Sequence, residues 1–335
     1  MTPLRRENSG KRMRAPLTVY LEVTRKCNLH CAHCLVRNEN VSLDVEVAKR
    51  ILDELVEERV FKIYFTGGEP LLYSGLEELL IHLRGRPVWS LVQTNGLLLT
   101  ESRAKALREA HLGALDLPLF GITSDTHDAI TGIPGSFDTL LDTLAMLRDL
   151  EIRAFVSFMP MSHNIHQAPS FPEWAHEQGL VLAHIRRYIP RKENDEHLPD
   201  PTILNPIIIG YARNRSQYDK KGLHYEIEEA FDFSEQAGRR CPAGVQVCSI
   251  TAEGNITPCP YITIQDESVA KEGFKCMWET SSLLQRARDA VITGGKCATC
   301  TYVTECGGGC IAAAHMVRGA FEEPDPYCLY HPDTL

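Results

Sequence analysis

Three cysteines stand in the run Cys27-Asn28-Leu29-His30-Cys31-Ala32-His33-Cys34, with three and then two residues between them. That spacing lets the three thiols converge on one face of a tight loop. A 4Fe-4S cluster takes one protein ligand per iron, so three thiolates leave one iron open to an external ligand. Disulfides use cysteines in pairs, and structural zinc takes four protein ligands, which here would recruit His30 or His33. The loop follows a short apolar, β-rich run over 19–23, read as the first strand.

The rest of the composition narrows the setting. A chain of 335 residues with 44% hydrophobic and 24% charged residues is ordinary for a soluble globular protein and has room for two domains. No apolar run approaches the length of a membrane span, and Arg5, Arg6, Lys11, Arg12 and Arg14 have no apolar core following them, so no secretory signal is expected. Residues 1–16 are read as a flexible, solvated tail. A net charge of −9 argues against nucleic acid as the main partner, since phosphate neutralisation needs a basic face. Twelve cysteines without a signal peptide point to a reducing cytoplasm and to metal rather than disulfides. Neither an internal repeat nor a low-complexity segment is present.

Along the chain, Ser42 is expected to cap a helix with Asp44 and Glu46 in its first turn, and Ala48, Ile51, Leu52, Leu55 and Val56 recur at helical spacing. A second strand over 62–65 ends at Gly67-Gly68-Glu69-Pro70. Helix 76–83, strand 89–94 ending in Asn95-Gly96, helix 101–109 and an apolar run over 115–122 follow. Helix 137–150, strand 154–159, a helix near 173–178 and strand 181–189 complete the series. Six strand–helix alternations imply parallel strands with right-handed crossovers. The expected architecture is therefore α/β, a partial, open (β/α)6 version of the TIM-like barrel over 17–190, with ligands at the C-terminal strand ends. Residues 191–240 read as a bridge carrying some helix, polar over 192–195, broken by Pro199, Pro201 and Pro206, and basic over 213–221. From Cys241 the cysteine density rises, which marks 241–335 as a second domain.

The Cys-x3-Cys-x2-Cys loop after a strand, followed one β/α unit later by Gly67-Gly68-Glu69-Pro70, resembles the radical S-adenosylmethionine (SAM) enzymes. In that family the open iron chelates the amine and carboxylate of SAM. An electron, ultimately from an external donor of the flavodoxin or ferredoxin kind, then cleaves SAM to methionine and a 5′-deoxyadenosyl radical. The resemblance implies that the Gly67 to Pro70 turn contacts the amino group of SAM, its glycines letting backbone approach a ligand and Glu69 offering a carboxylate. It implies that Thr94, Asn95 and Ser124, read as ending the third and fourth strands, contact the nucleoside; loop capping is the alternative. His33 occupies a place usually aromatic in the family, and either stacks near adenine or packs within the loop. Arg186 and Arg187 alternate across the sixth strand. The inward one would bind a carboxylate of SAM or substrate, or pair with an acidic neighbour.

The C-terminal cysteines read Cys241-x12-Gly254-x4-Cys259, then Cys297-x2-Cys300-x5-Cys306-x3-Cys310, and finally Cys328. This resembles the SPASM extension of many radical SAM enzymes, with Cys248 as an additional thiol. The resemblance implies two auxiliary 4Fe-4S clusters, one on Cys241, Cys248, Cys259 and Cys310, the other on Cys297, Cys300, Cys306 and Cys328. Zinc suits Cys-x2-Cys loops as well. Four ligands apiece would leave no open auxiliary iron and suit electron transfer. Only Cys276 is left over, either a buried inert thiol or a hydrogen-atom donor to a substrate radical, as in radical epimerases.

The most detailed resemblance is to peptide-maturing SPASM enzymes of the mycofactocin and pyrroloquinoline-quinone type. It rests on Glu22-Val23-Thr24, Gly135-Ser136-Phe137-Asp138, His163-Asn164, Cys241-Pro242-Ala243-Gly244, Cys259-Pro260-Tyr261, Gly308-Gly309-Cys310 and Asp325-Pro326. It implies hydrogen removal from a ribosomally made peptide, then decarboxylation, cross-linking or another oxidative change. Pro260 stands where sulfatase-maturing enzymes carry an aspartate, so formylglycine formation is not expected. No additional domain precedes Val19, so recognition of a leader peptide would call on a separate binding protein or another mode. The runner-up is a carboxylated small molecule, a tetrapyrrole, sugar or nucleoside acid, because Cys328-Leu329-Tyr330-His331-Pro332 also resembles the tetrapyrrole-decarboxylating enzymes. A non-catalytic iron-sulfur carrier is a third class, disfavoured because a carrier has no use for the Gly67 to Pro70 turn.

Overall fold

A computed structural model describes residues 4–5, 13–36, 38–228, 241–264, 268–292, 294–300 and 303–328. Arg6, Lys11 and Arg12 of the tail, residues 229–240 of the bridge and the segment from Leu329 onward lie outside the described residues.

Six strands run parallel in chain order: β1 (Thr18–Thr24), β2 (Lys62–Gly67), β3 (Trp89–Gln93), β4 (Ala114–Leu119), β5 (Ala154–Phe158) and β6 (Leu182–Ile185). The alternation of β1 explains the layering. Val19, Leu21 and Val23 are fully buried and join the apolar core with Ile51, Leu52 and Leu55 of helix α1 (Val45–Glu57). Tyr20 and Glu22 point to the other face, the interior of the barrel, where Tyr20 stacks on Tyr64 of β2 at 4.7 Å.

The sheet extends past these six at both edges. Strand β7 (His224–Ile227) adds in parallel to β6; β8 (Val247–Ile250) adds in parallel to β1 and carries the antiparallel β9 (Ile256–Thr257). Thus the stretch read as a bridge supplies a strand, and β8, beyond Cys241, belongs to the same sheet as the barrel. The sixth strand is shorter than expected. Arg186 still donates its N–H to Phe158 O at 2.8 Å, but Arg187 turns away to other partners before Pro190.

Two local expectations are corrected. Asp44, not Ser42, caps α1, its carboxylate accepting from the N–H groups of Glu46 and Val47 at 3.0 Å each. Ser42 is held instead by the Thr24 hydroxyl at 2.8 Å. In the 191–240 stretch, Pro201 and Pro206 do not interrupt structure but lie within a helix (Pro201–Lys220) capped by Asp200. The tail is also partly tied down. Leu4–Arg5 pairs antiparallel with Val291–Ile292, Arg14 bonds Glu58, and Met13 O accepts from the Trp278 indole.

Among the described residues, no helix is long and apolar enough to cross a membrane.

Candidate active site

The three-cysteine loop leaves β1 and is closed at its neck. Arg25 N donates to Val41 O at 2.8 Å, Leu43 N to Val23 O at 2.9 Å, and the Thr24 hydroxyl to Val41 O at 3.1 Å. Asn38 pins the loop internally, accepting from Cys27 N at 3.1 Å and donating to Cys27 O at 2.9 Å. Sequence reasoning missed Asn38; an amide side chain able to imitate a backbone pair inside a cysteine loop was the available signal.

The thiols are close enough to interact. Burial pushes Cys31 up to about 12, and the thiolates of Cys34 and Cys27 push in the same direction. Burial also raises Cys27 and Cys34. Bare thiols here hold their protons at neutral pH, so a positively charged metal group is what would make them thiolates, with proton release on binding. Among the described residues no three donor side chains converge closely enough to hold a single metal ion.

The Gly67-Gly68-Glu69-Pro70 turn docks directly on this loop. Gly68 N donates to Thr24 O at 2.7 Å and Glu69 N to Lys26 O at 2.8 Å. The glycines are needed for that contact, since a Cβ on Gly67 or Gly68 would lie 2.1 Å from Thr24 O or 2.3 Å from Lys26 O. Glu69 does not project as an open carboxylate. It is 1% exposed and accepts from Leu71 N (2.9 Å), the Thr94 hydroxyl (2.6 Å) and Asn95 N (2.9 Å). Burial raises its pKa against the pull of these three donors. Asn95 in turn donates its side-chain amide to Asn28 Oδ1 at 2.8 Å. The turn, the end of β3 and the cysteine loop are therefore one hydrogen-bonded unit. Glu69→Gln sets an NH2 group among donors, and is expected to cost about 1–3 kcal/mol in an anaerobic unfolding titration.

His33 packs against Phe120 with ring centres 4.4 Å apart, and its Nδ1 is buried with no partner. Burial, then the charges of His197, Arg191 and His163, hold its pKa down to about 4. An orphaned nitrogen beside Cys34 fits a site that a further group completes. Arg186 does face the barrel interior, where it donates to Asp116 Oδ2 at 3.2 Å and to the Ser157 hydroxyl at 3.3 Å. Arg187 forms a buried pair with Asp325 at 2.6 Å.

Two expected residues are placed differently from their reading in the sequence. Ser124 does not end the fourth strand; it is exposed and begins helix Ser124–Thr131, after β4 has ended at Leu119. Cys276 is exposed on helix Phe274–Thr280, whose first amide donates to Glu54 near the C-terminal end of α1. Because α1 runs back along the barrel, that end lies at the N-terminal ends of the strands, opposite the cysteine loop. Cys276 is neither buried nor near the substrate side.

Between the loop and the C-terminal part opens a cavity of about 620 Å³, bordered by Glu22, Cys34, Arg191, Ser249, Thr257 and Pro260. The C-terminal thiols gather in two sets. Cys241, Cys259 and Cys310 share an apolar cluster with Ile262 and Ile311, and the free Cys310 thiol is hydrogen-bonded to that of Cys241. Cys297, pushed up to about 11 by burial, also feels Cys328, Cys306 and Cys300. Cys248 is with neither set; it lies in the main core beside Arg288.

Comparison with known proteins agrees with this geometry. Residues 21–167 match the radical SAM superfamily. The chain is 27% identical to the AdoMet-dependent heme synthase of Methanosarcina barkeri, over 95% of this chain and 97% of that one. It is 29% identical to the mycofactocin maturase MftC of Mycolicibacterium smegmatis, over 94% and 83%. The fold is that of Streptococcus suis SuiB, solved with its precursor peptide SuiA, at a TM-score of 0.78 and 17% identity over 95% of this chain and 76% of SuiB. Over residues 21–167 the chain carries a radical SAM domain, and it is an enzyme.

Proposed function

We propose that this enzyme holds a 4Fe-4S cluster on Cys27, Cys31 and Cys34, binds SAM at the remaining iron, and removes a hydrogen atom from a ribosomally made peptide. Reductive cleavage of SAM to methionine and a 5′-deoxyadenosyl radical is the chemistry that the cluster and cofactor supply when bound. The observation that carries the reading is the single unit made by the cysteine loop, the Gly67 to Pro70 turn and the Thr94–Asn95 corner, whose loop borders a 620 Å³ cavity at Cys34. That volume suits a peptide side chain with flanking backbone, or a small molecule. Within this unit Asn38 and the loop neck fix Cys27, Gly67 and Gly68 bring the turn onto the loop, and Glu69 locks the corner.

The similarity to the mycofactocin maturase over nearly the whole chain supports the peptide. The two C-terminal thiol sets support auxiliary iron-sulfur clusters in a SPASM-like domain beyond Cys241. The reading also calls for an external flavodoxin- or ferredoxin-like electron donor, a cytoplasmic setting and a separate leader-peptide-binding protein. A carboxylated tetrapyrrole is the second reading, favoured by a match that covers 97% of a heme synthase.

After anaerobic reconstitution and reduction, the enzyme is expected to form 5′-deoxyadenosine from SAM, and Cys31→Ala to fall to background. Equal formation by both would refute the assignment of the loop. Product masses from candidate peptides and tetrapyrroles then decide the substrate; turnover of the tetrapyrrole alone would refute the peptide.

A further inference from the structure

Seven of the eight C-terminal thiols outside Cys276 fall into two sets, and the eighth is directed elsewhere. Cys248 sits in β8 directly opposite Val19 of β1, and shares its outward orientation into the helix layer. It is 0% exposed. Its strand neighbour Ser249 points the other way, toward the cavity, and its hydroxyl donates to Tyr20 O at 3.0 Å. β8 is paired on both sides, to β1 and to β9, so its parity is fixed. Turning Cys248 toward Cys241, Cys259 and Cys310 would need a one-residue slip that expels Ile250, also 0% exposed, from the core.

We propose that Cys248 is a core residue and that the auxiliary cluster of the Cys241, Cys259 and Cys310 set is held by three thiolates, with one iron open to a non-protein ligand. The inference rests on the auxiliary-cluster reading above and departs from the four-thiolate set that the resemblance implies. Pro260 and Ile262, on either side of Tyr261 in the loop that follows Cys259, line the cavity, so this loop is one wall of the substrate space. An open iron in this cluster would make it a ligand-binding group rather than an electron relay alone.

The test uses the full chain with Cys27, Cys31 and Cys34 changed to alanine, so that only C-terminal iron remains. Iron and sulfide are counted and the reduced protein's EPR spectrum recorded in thiol-free buffer. Cys248→Ala and the better-filling Cys248→Val are both expected to keep the parent's iron content and g-values, whereas Cys259→Ala loses about four irons per chain. Cyanide is expected to shift one EPR signal in the parent and in both Cys248 variants alike. Loss of about four irons in both Cys248 variants, with the melting profile retained, would overturn the inference, as would a parent spectrum indifferent to cyanide. A parent that binds no iron at all would overturn the auxiliary-cluster reading itself, and the inference with it.

Discussion

Gly68→Ala is expected to leave a folded protein that no longer retains iron in its first cysteine loop, with SAM cleavage reduced to background. The methyl group would lie 2.3 Å from Lys26 O and 2.7 Å from Arg25 O, both backbone atoms of the segment that leads into Cys27. No side-chain rotation relieves such a contact, so the loop or the turn must move. Movement would strain the Gly68–Thr24 and Glu69–Lys26 hydrogen bonds, which set the turn against the loop. Those bonds lie at the strand ends, away from the helix layer that carries most of the core, so the loss is local. Gly210→Ala is the matched control. It sits inside a helix with nothing within 4 Å, and the change there is expected to stabilise by about 0.5–1 kcal/mol. Iron per chain after reconstitution should fall by about four in Gly68→Ala and stay constant in Gly210→Ala. Full iron and undiminished 5′-deoxyadenosine in Gly68→Ala would show that the turn does not brace the loop.

That same turn shows what the sequence conveyed and what it withheld. The spacing of Cys27, Cys31 and Cys34 after an apolar strand, and the six strand–helix alternations, are periodic or contiguous features, and they locate the loop and the barrel correctly. The Gly-Gly-Glu-Pro motif was legible as a motif, but its contacts were not. The glycines face the Thr24–Lys26 backbone and Glu69 faces Thr94 and Asn95, partners fixed only by the fold.

The N-cap is ambiguous in the sequence for a related reason. Ser42 and Asp44 are both good caps, and a long-range bond from Thr24 takes Ser42 out of contention. The edge strand β7 had a period-2 signal, with Leu223, Tyr225 and Ile227 buried, hidden among prolines and basic residues. The family resemblance groups Cys248 with Cys241, Cys259 and Cys310, and what it does not convey is the strand pairing that sets Cys248 opposite Val19. Ser124 was displaced by a loop of four residues between β4 and its helix, a boundary that an apolar run cannot mark. The alternation of Arg186 and Arg187 was visible, yet their partners Asp116 and Asp325 lie 70 and 138 residues away.

The second of those pairs carries the other large expected effect. Asp325→Asn should lower stability by about 3–5 kcal/mol, the range for stripping one partner from a buried ion pair. The geometry is bidentate: Arg187 reaches the two carboxylate oxygens at 2.6 and 2.8 Å, with 6% and 2% of the two side chains exposed. The carboxylate also accepts from Cys310 N at 3.1 Å and Tyr327 N at 3.0 Å, and Asp325 O accepts from Cys328 N at 3.3 Å. One residue therefore joins the end of the sixth strand to a cysteine from each C-terminal set. Asparagine keeps the size and some of these bonds but removes the carboxylate charge that Arg187 meets in bidentate contact. C-terminal iron should accordingly be lost at lower denaturant than iron in the first loop.

Two comparisons separate this from a generic loss of packing. Glu196→Gln breaks an exposed pair with Lys192, both side chains 62% exposed, and should cost at most about 1 kcal/mol. The double change Arg187→Leu with Asp325→Leu removes both members of the pair and should be less harmful than Asp325→Asn alone. If anaerobic denaturation found Asp325→Asn no worse than Glu196→Gln, the pair would not be what fastens the C-terminal cysteines to the barrel.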